Sequence, residues 1–157
     1  MMKTRPFRLF MNPRAGTPGT VVLPDGGYRR ARAEITSWPG YAETPLRDFP
    51  TLAAAAGIAT LRIKDEAGRF GLGSFKALGG AYAVCQVLAA ELARRNIAPN
   101  ATSADLVAGT HAAATSQITV TCATDGNHGR SVAWGAQRFG ARCVIYVHET
   151  VSQGRVD

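Results

Sequence analysis

The sequence has 157 residues, of which 46% are hydrophobic and 18% are charged. This length and composition exclude a disordered chain and predict a globular protein with a substantial core. The formal net charge of +7 would suit nucleic-acid binding, but the tightest basic cluster, at residues 29–32, has only Tyr28 beside it. Without interleaved aromatic side chains for base stacking, a solvated basic surface is the preferred interpretation.

Cysteine spacing and apolar runs predict the compartment. Cys85, Cys122 and Cys143 are widely spaced and form no Cys-x-x-Cys pair, which favours free thiols in a reducing cytosol over a disulfide framework or a metal site. The longest apolar run, residues 52–59, contains a glycine and is too short to span a bilayer. No signal-peptide pattern follows the basic first residues. We therefore expect a soluble, cytoplasmic protein with no membrane or nucleic-acid partner.

The first part of the chain, residues 1–50, is rich in proline and glycine and shows little periodicity. Thr17-Pro-Gly-Thr and Pro24-Asp-Gly-Gly are turn sequences, and residues 20–23 between them predict a short strand. We interpret residues 1–50 as an irregular N-terminal arm with one or two short strands, and residues 51–157 as the ordered domain.

The ordered domain alternates between strands and helices. Helices are predicted at residues 51–56, 76–95, 102–109 and 127–139, and strands at residues 58–64, 117–122 and 142–147. The helix at 76–95 has the clearest apolar stripe, formed by Leu78, Tyr82, Cys85, Leu88 and Leu92. This alternation predicts an α/β fold, a three-layer parallel sheet with flanking helices, in which ligands bind beyond the carboxyl ends of the strands.

Lys76 lies in the first turn of the 76–95 helix, after a loop with glycines at 68, 71 and 73. The positive end of a helix disfavours a cation, so its field favours the neutral, nucleophilic form of the Lys76 amine. Such an amine forms a Schiff base with an aldehyde such as pyridoxal phosphate (PLP). The alternative is a lysine whose stem lies on apolar surface with its amine in water. Gly79 and Gly80, inside the helix, indicate close approach of a ligand or a neighbouring element.

A second candidate segment, Thr124-Asp-Gly-Asn-His-Gly-Arg130, joins the 117–122 strand to the next helix. Its backbone amides point from a helix N-terminus, where anions bind. Structural alternatives are that Asp125 or Asn127 is only an N-cap and that His128 is a structural histidine. Gly126 and Gly129 favour close approach of a ligand to the backbone. Both candidate segments follow strands, so they can face one site.

Together these segments resemble the fold-type II family of PLP-dependent enzymes. Lys64-Asp-Glu-x-x-Arg-Phe-Gly-Leu-x-Ser-Phe-Lys76, followed by Leu78-Gly-Gly, is similar to the lysine segment of that family, and the second segment is similar to its asparagine loop. Arg-Phe-Gly-Leu and the aspartate before Gly-Asn are most similar to the diaminopropionate ammonia-lyases, since threonine and serine dehydratases usually carry Ser-x-Gly-Asn. The resemblance covers residues 38–157, from Tyr41-x-x-Thr-Pro-Leu46 onward.

The resemblance implies PLP as cofactor, a small amino acid as substrate and homodimers for full-length members. Lys76 would hold PLP covalently and then act as acid or base, and Asn127 would hydrogen-bond to the ring hydroxyl. Asp125 would take the α-proton of one substrate configuration. The carboxylate of the substrate would be bound by the turn formed by Asp125, Gly126, Asn127, His128 and Gly129. Ammonia then leaves the β-carbon, and the enamine product hydrolyses to pyruvate and a second ammonia.

The resemblance also has gaps. The glycine-rich phosphate loop of the family and the polar partner of its pyridine nitrogen have no counterpart in this sequence. We therefore expect the N-terminal part of such an enzyme, truncated and inactive alone. The alternatives are an enzyme similar to the threonine and serine dehydratases, and a non-catalytic remnant that keeps half of the site.

Overall fold

The computed structural model describes Arg8, Pro13 and residues 24–156. For residues 155 and 156 it describes the backbone alone. Its elements in chain order are α1 (Asp25–Ser37), β1 (Leu46–Asp48), α2 (Pro50–Ala56), β2 (Arg62–Lys64), a 3-10 turn (Arg69–Gly71), α3 (Lys76–Arg94), α4 (Ser103–Val107), α5 (Ala112–Thr115), β3 (Thr119–Ala123), α6 (Asn127–Arg138), β4 (Arg142–Tyr146) and α7 (Gln153–Val156). The predicted helices at 51–56, 76–95, 102–109 and 127–139 are confirmed to within about two residues.

The parallel sheet consists of β3 and β4, with Val120 opposite Cys143 and Cys122 opposite Ile145. These four side chains lie on the face that packs against α6. The other face is open, because Thr119, Thr121, Val144 and Tyr146 are exposed. The α/β class and the parallel pairing are confirmed, and α6 packs on one face of this sheet.

The helix pair α3–α6 forms the centre of the molecule because small residues let the two backbones approach closely. A β-carbon on Gly135 of α6 would lie 2.8 Å from the Cα atom of Ala81 of α3, closer than two carbon atoms pack. Toward the C-terminal ends of the two helices, Leu88, Leu92 and Phe139 are fully buried and belong to the core shared by both helices. The first turns of α3 and α6 are thereby held side by side.

The strand predicted at residues 58–64 is the clearest error in the expected topology. Only Arg62–Lys64 is a strand, and it pairs antiparallel with β1 in a separate two-stranded ribbon. All six side chains of the ribbon are exposed, and two ion pairs cross it, Arg62–Asp48 at 2.9 Å and Arg47–Asp65 at 2.7 Å. Charged side chains on both strands suit a solvated ribbon and not a buried parallel strand.

The expectation of an irregular arm is wrong over residues 25–37, which form α1. Pro24 and Asp25, interpreted as a turn, instead stand at the start of α1, where the acidic Asp25 in the first turn suits the positive end of the helix. After α1, Trp38 is only 3% exposed and packs edge-on against Phe139, with 5.6 Å between the two ring centres. The strand predicted at residues 20–23 lies outside the described residues, and the division at residue 50 stays a prediction.

Candidate functional site

A cavity of about 280 Å³ lies at the first turns of α3 and α6. Its lining residues are Phe75, Lys76, Leu78, Gly79, Gly80 and His128. It therefore joins the lysine segment to the asparagine loop, two sequence regions about 50 residues apart. This supports the expectation that the two segments face one site.

Lys76 starts α3 and its side chain is exposed. Its backbone N–H donates to the Ser74 hydroxyl at 3.2 Å, and its Nζ atom lies 4.7 Å from the centre of the Phe75 ring. The amine is thus free to reach a ligand in the cavity, but the described residues do not bury it.

The glycines of the lysine segment serve different purposes. Gly71 and Gly73 have φ angles of 72° and 70°, so the loop before Lys76 needs residues that tolerate the left-handed region. A β-carbon on Gly79 would have no atom within 4 Å, which leaves that side of the cavity open, whereas one on Gly80 would overlap the Ser131 hydroxyl. The neighbouring element expected near these glycines is therefore α6, at Gly80.

The asparagine loop begins with Thr124, whose N–H donates to the Tyr146 carbonyl at 2.9 Å and extends the sheet by one bond. Gly126 is the N-cap of α6, so neither Asp125 nor Asn127 occupies the N-cap position. Asp125, Asn127 and His128 are all exposed beside the cavity-forming turn. The N-cap alternative is therefore wrong for both residues by position.

Gly129 has a structural explanation. It is buried, and a β-carbon there would lie 2.7 Å from Thr124 Cγ2 and 3.1 Å from Ile145 Cγ2. A side chain at this position would push the first turn of α6 away from the sheet. Packing alone therefore accounts for this glycine, while Gly126, with no atom within 4 Å of an added β-carbon, stays available for close approach of a ligand.

Arg69, in the loop before Lys76, is not available to bind a phosphate group. Its side chain is only 5% exposed and donates to both carboxylate oxygens of Glu66, at 2.8 and 3.0 Å. It also donates to the Ala42 carbonyl at 2.7 Å and to the Thr44 hydroxyl at 3.0 Å. Its donors are engaged within the protein, whereas Arg130 is exposed at the start of α6.

These contacts explain the sequence signature around Arg69. The Thr44 hydroxyl donates to Glu66, and the Lys64 amine donates to the Thr44 carbonyl. Hydrogen bonds from Arg69 hold the pKa of Glu66 down at about 2, against the opposing effect of burial. We call Thr44, Lys64, Glu66 and Arg69 the polar clamp. It fastens the segment before β1 to the loop that leads to Lys76.

The comparison with known proteins places this geometry in a family. A model of the pyridoxal-phosphate dependent enzymes matches residues 37–157, more than three quarters of the chain. The chain belongs to that family. Its cysteines are free thiols. Among the described residues, no group of side chains is arranged to hold a metal ion. No helix in that part of the chain is long and apolar enough to cross a membrane.

Two curated relatives and one solved structure show which PLP-dependent enzymes the chain is similar to. The chain is 41% identical over 118 residues to diaminopropionate ammonia-lyase of Escherichia coli (strain K12), and 42% identical over 117 residues to that of Salmonella typhimurium. It matches the crystal structure of the E. coli enzyme in complex with an aminoacrylate-PLP azomethine intermediate, with a TM-score of 0.69, 34% identity and 88% of this chain covered. The chain spans only 28% and 26% of these two curated relatives and 33% of that structure. Its fold is therefore part of the fold-type II architecture.

The residues around the cavity fit one part of PLP. An exposed primary amine suits the aldehyde, and the bare face of Gly79 leaves room for a flat ring beside it. Among the described residues, no arginine lines this cavity, so these residues offer little to the phosphate group.

Proposed function

We propose that this chain contributes the lysine and asparagine half of a PLP-dependent ammonia-lyase that eliminates ammonia from 2,3-diaminopropionate. The observation that supports this most is the shared cavity of Lys76 and His128, with Asp125 and Asn127 in the same turn as His128. The relatives of the chain point to the same reaction. Because the chain spans less than a third of those relatives, the activity is assigned to a longer protein that contains this part.

Each residue in the site has a chemical role in this proposal. When bound, PLP withdraws electrons from the α-carbon of the substrate. Lys76 holds the cofactor and later moves a proton as acid or base, and Asp125 takes the α-proton of one configuration. Asn127 orients the ring through its hydroxyl, while the amides of residues 125–129 bind the substrate carboxylate at the positive end of α6.

The proposed reaction balances without a further reactant beyond water. The α-carbon loses a proton and the β-carbon loses ammonia, which leaves an enamine. Water hydrolyses the enamine to pyruvate and the second ammonia. A role in amino-acid catabolism in the cytoplasm, as a homodimer, is part of the same proposal.

A second candidate is a dehydratase acting on threonine or serine, and a third is a non-catalytic remnant. Asp125 favours the ammonia-lyase over the dehydratase, because dehydratases usually carry a serine at this position and a carboxylate is the stronger base for taking the α-proton. No arginine lines the cavity in the part of the chain that the structure describes, which keeps the remnant as an alternative for the 157-residue chain by itself. We expect that chain to bind PLP weakly and to have no lyase activity.

The test compares the 157-residue chain with a longer protein in which it is followed by the C-terminal two thirds of a relative, such as the E. coli ammonia-lyase. The longer protein should release pyruvate from 2,3-diaminopropionate faster than from threonine or serine. Lys76→Ala should abolish the reaction and the visible absorbance of bound PLP, while Lys64→Ala should keep the absorbance. A preference for threonine or serine would replace the proposal with the dehydratase. Tight, stoichiometric PLP binding by the short chain would contradict the half-site assignment.

A further inference from the structure

The hydroxyl of Ser131 occupies an unusual place between the two helices of the site. Ser131 belongs to α6 and is fully buried. Its Oγ atom donates to the backbone carbonyl of Lys76 at 2.6 Å and accepts from the backbone N–H of Ala81 at 3.2 Å. Lys76 and Ala81 lie five residues apart in α3, so one hydroxyl from α6 bridges the first turn of α3.

Gly80 makes room for this bridge. A β-carbon there would overlap the Ser131 hydroxyl and would lie 2.8 Å from the Ser131 β-carbon. The fit therefore depends on a residue without a side chain on one helix and a small hydroxyl on the other. If the hydroxyl is removed, the Lys76 carbonyl and the Ala81 N–H both lose their hydrogen bond to α6, and the first turn of α3 is no longer tied to that helix.

The same helix carries the other half of the site. Asn127 and His128 lie in the first turn of α6, one turn before Ser131. The path from the Lys76 carbonyl to His128 thus runs through a single hydrogen bond and one turn of helix. Sequence reasoning did not find this link, because its partners lie 50 and 55 residues apart.

We propose that Ser131 is a positioning residue, which sets the place of Lys76 against His128 and Asn127 through the Lys76 carbonyl. This inference rests on the proposed function, because it assigns Ser131 a purpose within the PLP half-site. Ser131 touches neither the cavity nor, in this proposal, the cofactor or substrate. Its effect on Lys76 must therefore appear in the reactivity of the amine and not only in the stability of the fold.

The test uses the 157-residue chain, which contains three lysines, Lys3, Lys64 and Lys76. The chain is mixed with excess PLP, the adducts are trapped with borohydride, and peptide mapping gives the labelling rate at each lysine. In the parent chain Lys76 should be labelled faster than Lys64. In Ser131→Ala the rate at Lys76 should fall by about tenfold, less than the roughly 100-fold that a 1 Å displacement can cost, while the rate at Lys64 stays unchanged.

Two further variants separate positioning from stability. Ser103→Ala removes a buried serine hydroxyl of α4 that lies outside the site, and should leave the ratio of the two labelling rates unchanged. Ser131→Cys keeps a weaker donor and acceptor, and should restore part of the Lys76 rate even if Ser131→Ala does not fold. Hydrogen exchange at the Ala81 amide, measured in each variant, reports directly whether the bridge is broken.

The outcomes distinguish this inference from the function on which it rests. Faster exchange at Ala81 together with slower labelling of Lys76, in the Ser131 variants alone, would support the proposal. Faster exchange with an unchanged labelling ratio would make Ser131 a packing residue and overturn this inference only. Equal labelling of Lys76 and Lys64 in the parent chain would overturn the half-site assignment and the inference together.

Discussion

Lys76 is supported from two sides by regions that differ in their chemistry. On one side the polar clamp of Thr44, Lys64, Glu66 and Arg69 holds the loop that precedes it. On the other side the helix pair α3–α6 holds the turn in which it lies, through small residues and one buried hydroxyl. The clamp uses charge and many directional bonds, whereas the helix pair uses close packing.

The difference shows which changes each region tolerates. In the clamp the charges must match, because a buried charge without its partner is costly even where the pair itself adds little. In the helix pair the volume must match, because interiors are close-packed and an added methyl group has nowhere to go. An aromatic contact joins the two regions: the ring centres of Phe70, in the loop, and Trp134, in α6, are 4.9 Å apart.

The largest effect is expected from breaking the clamp. Arg69→Met should destabilise the chain by about 3 kcal/mol, because it leaves the Glu66 carboxylate half-buried without its main partner. Arg47→Met, which removes an arginine 58% exposed in the neighbouring ribbon, should cost less than about 1 kcal/mol. Urea unfolding, followed by fluorescence of the two tryptophans, measures both. Equal costs for the two variants would show that the clamp is not a buried network.

A smaller effect is expected from overfilling the helix pair. Gly135→Ala should destabilise the chain by about 2 kcal/mol, since the new methyl group meets the Ala81 backbone, which cannot move aside as a side chain could. Gly27→Ala in α1 is the matched control, with no atom within 4 Å of the added carbon. That control should be neutral or stabilising by up to about 1 kcal/mol. A neutral Gly135→Ala would mean that α3 and α6 are farther apart than described.

Much of the helix pair could be predicted from the sequence, because its signals are local. The apolar period of α3 and the strand–turn–helix pattern around Asn127 lie within short windows, and the structure follows both. The apolar stripe predicted for α3 coincides only in part with the buried face of that helix. Ala77, Ala81 and Val84 are buried, while Leu78 and Tyr82 are half-buried. Small residues packed against α6 carry little hydrophobic signal, so periodicity missed them.

The clamp could not be predicted in the same way. A sequence shows an arginine at position 69 in a glycine-rich loop, but it does not show the partners of that arginine, the Ala42 carbonyl and the Thr44 hydroxyl, which lie at least 25 residues away. The antiparallel ribbon was missed for the same reason, since β1 has three residues and no pattern of its own. The resemblance to the PLP-dependent family covers both the segment before β1 and the loop before Lys76. The structure shows the contacts that connect these two segments.

The smallest effect is a dependence of stability on pH, and it contrasts a carboxylate of the clamp with one on α3. Hydrogen bonds from Arg69 lower the pKa of Glu66 from 4.5 to about 2, and hydrogen bonds from Arg94 and Arg95 lower that of Glu91 by the same amount. A carboxyl whose folded pKa is depressed adds stability above its unfolded pKa and loses it as the pH falls through the folded value. Both groups should therefore weaken the fold as the pH falls from about 4.5 to about 2.

Salt separates the two contributions. The partner of Glu66 is buried, while the Arg94 side chain is 71% exposed, and exposed pairs are screened strongly when the Debye length falls to about 3 Å at 1 M salt. Glu66→Gln should thus flatten the fall in unfolding midpoint between pH 4.5 and 2 at both low and high salt. Glu91→Gln should flatten it at low salt only. If Glu66→Gln leaves the acid slope intact while Glu91→Gln removes it, the clamp does not hold its carboxylate in charged form, and the fold before Lys76 must depend on the aromatic contacts of Phe70 instead.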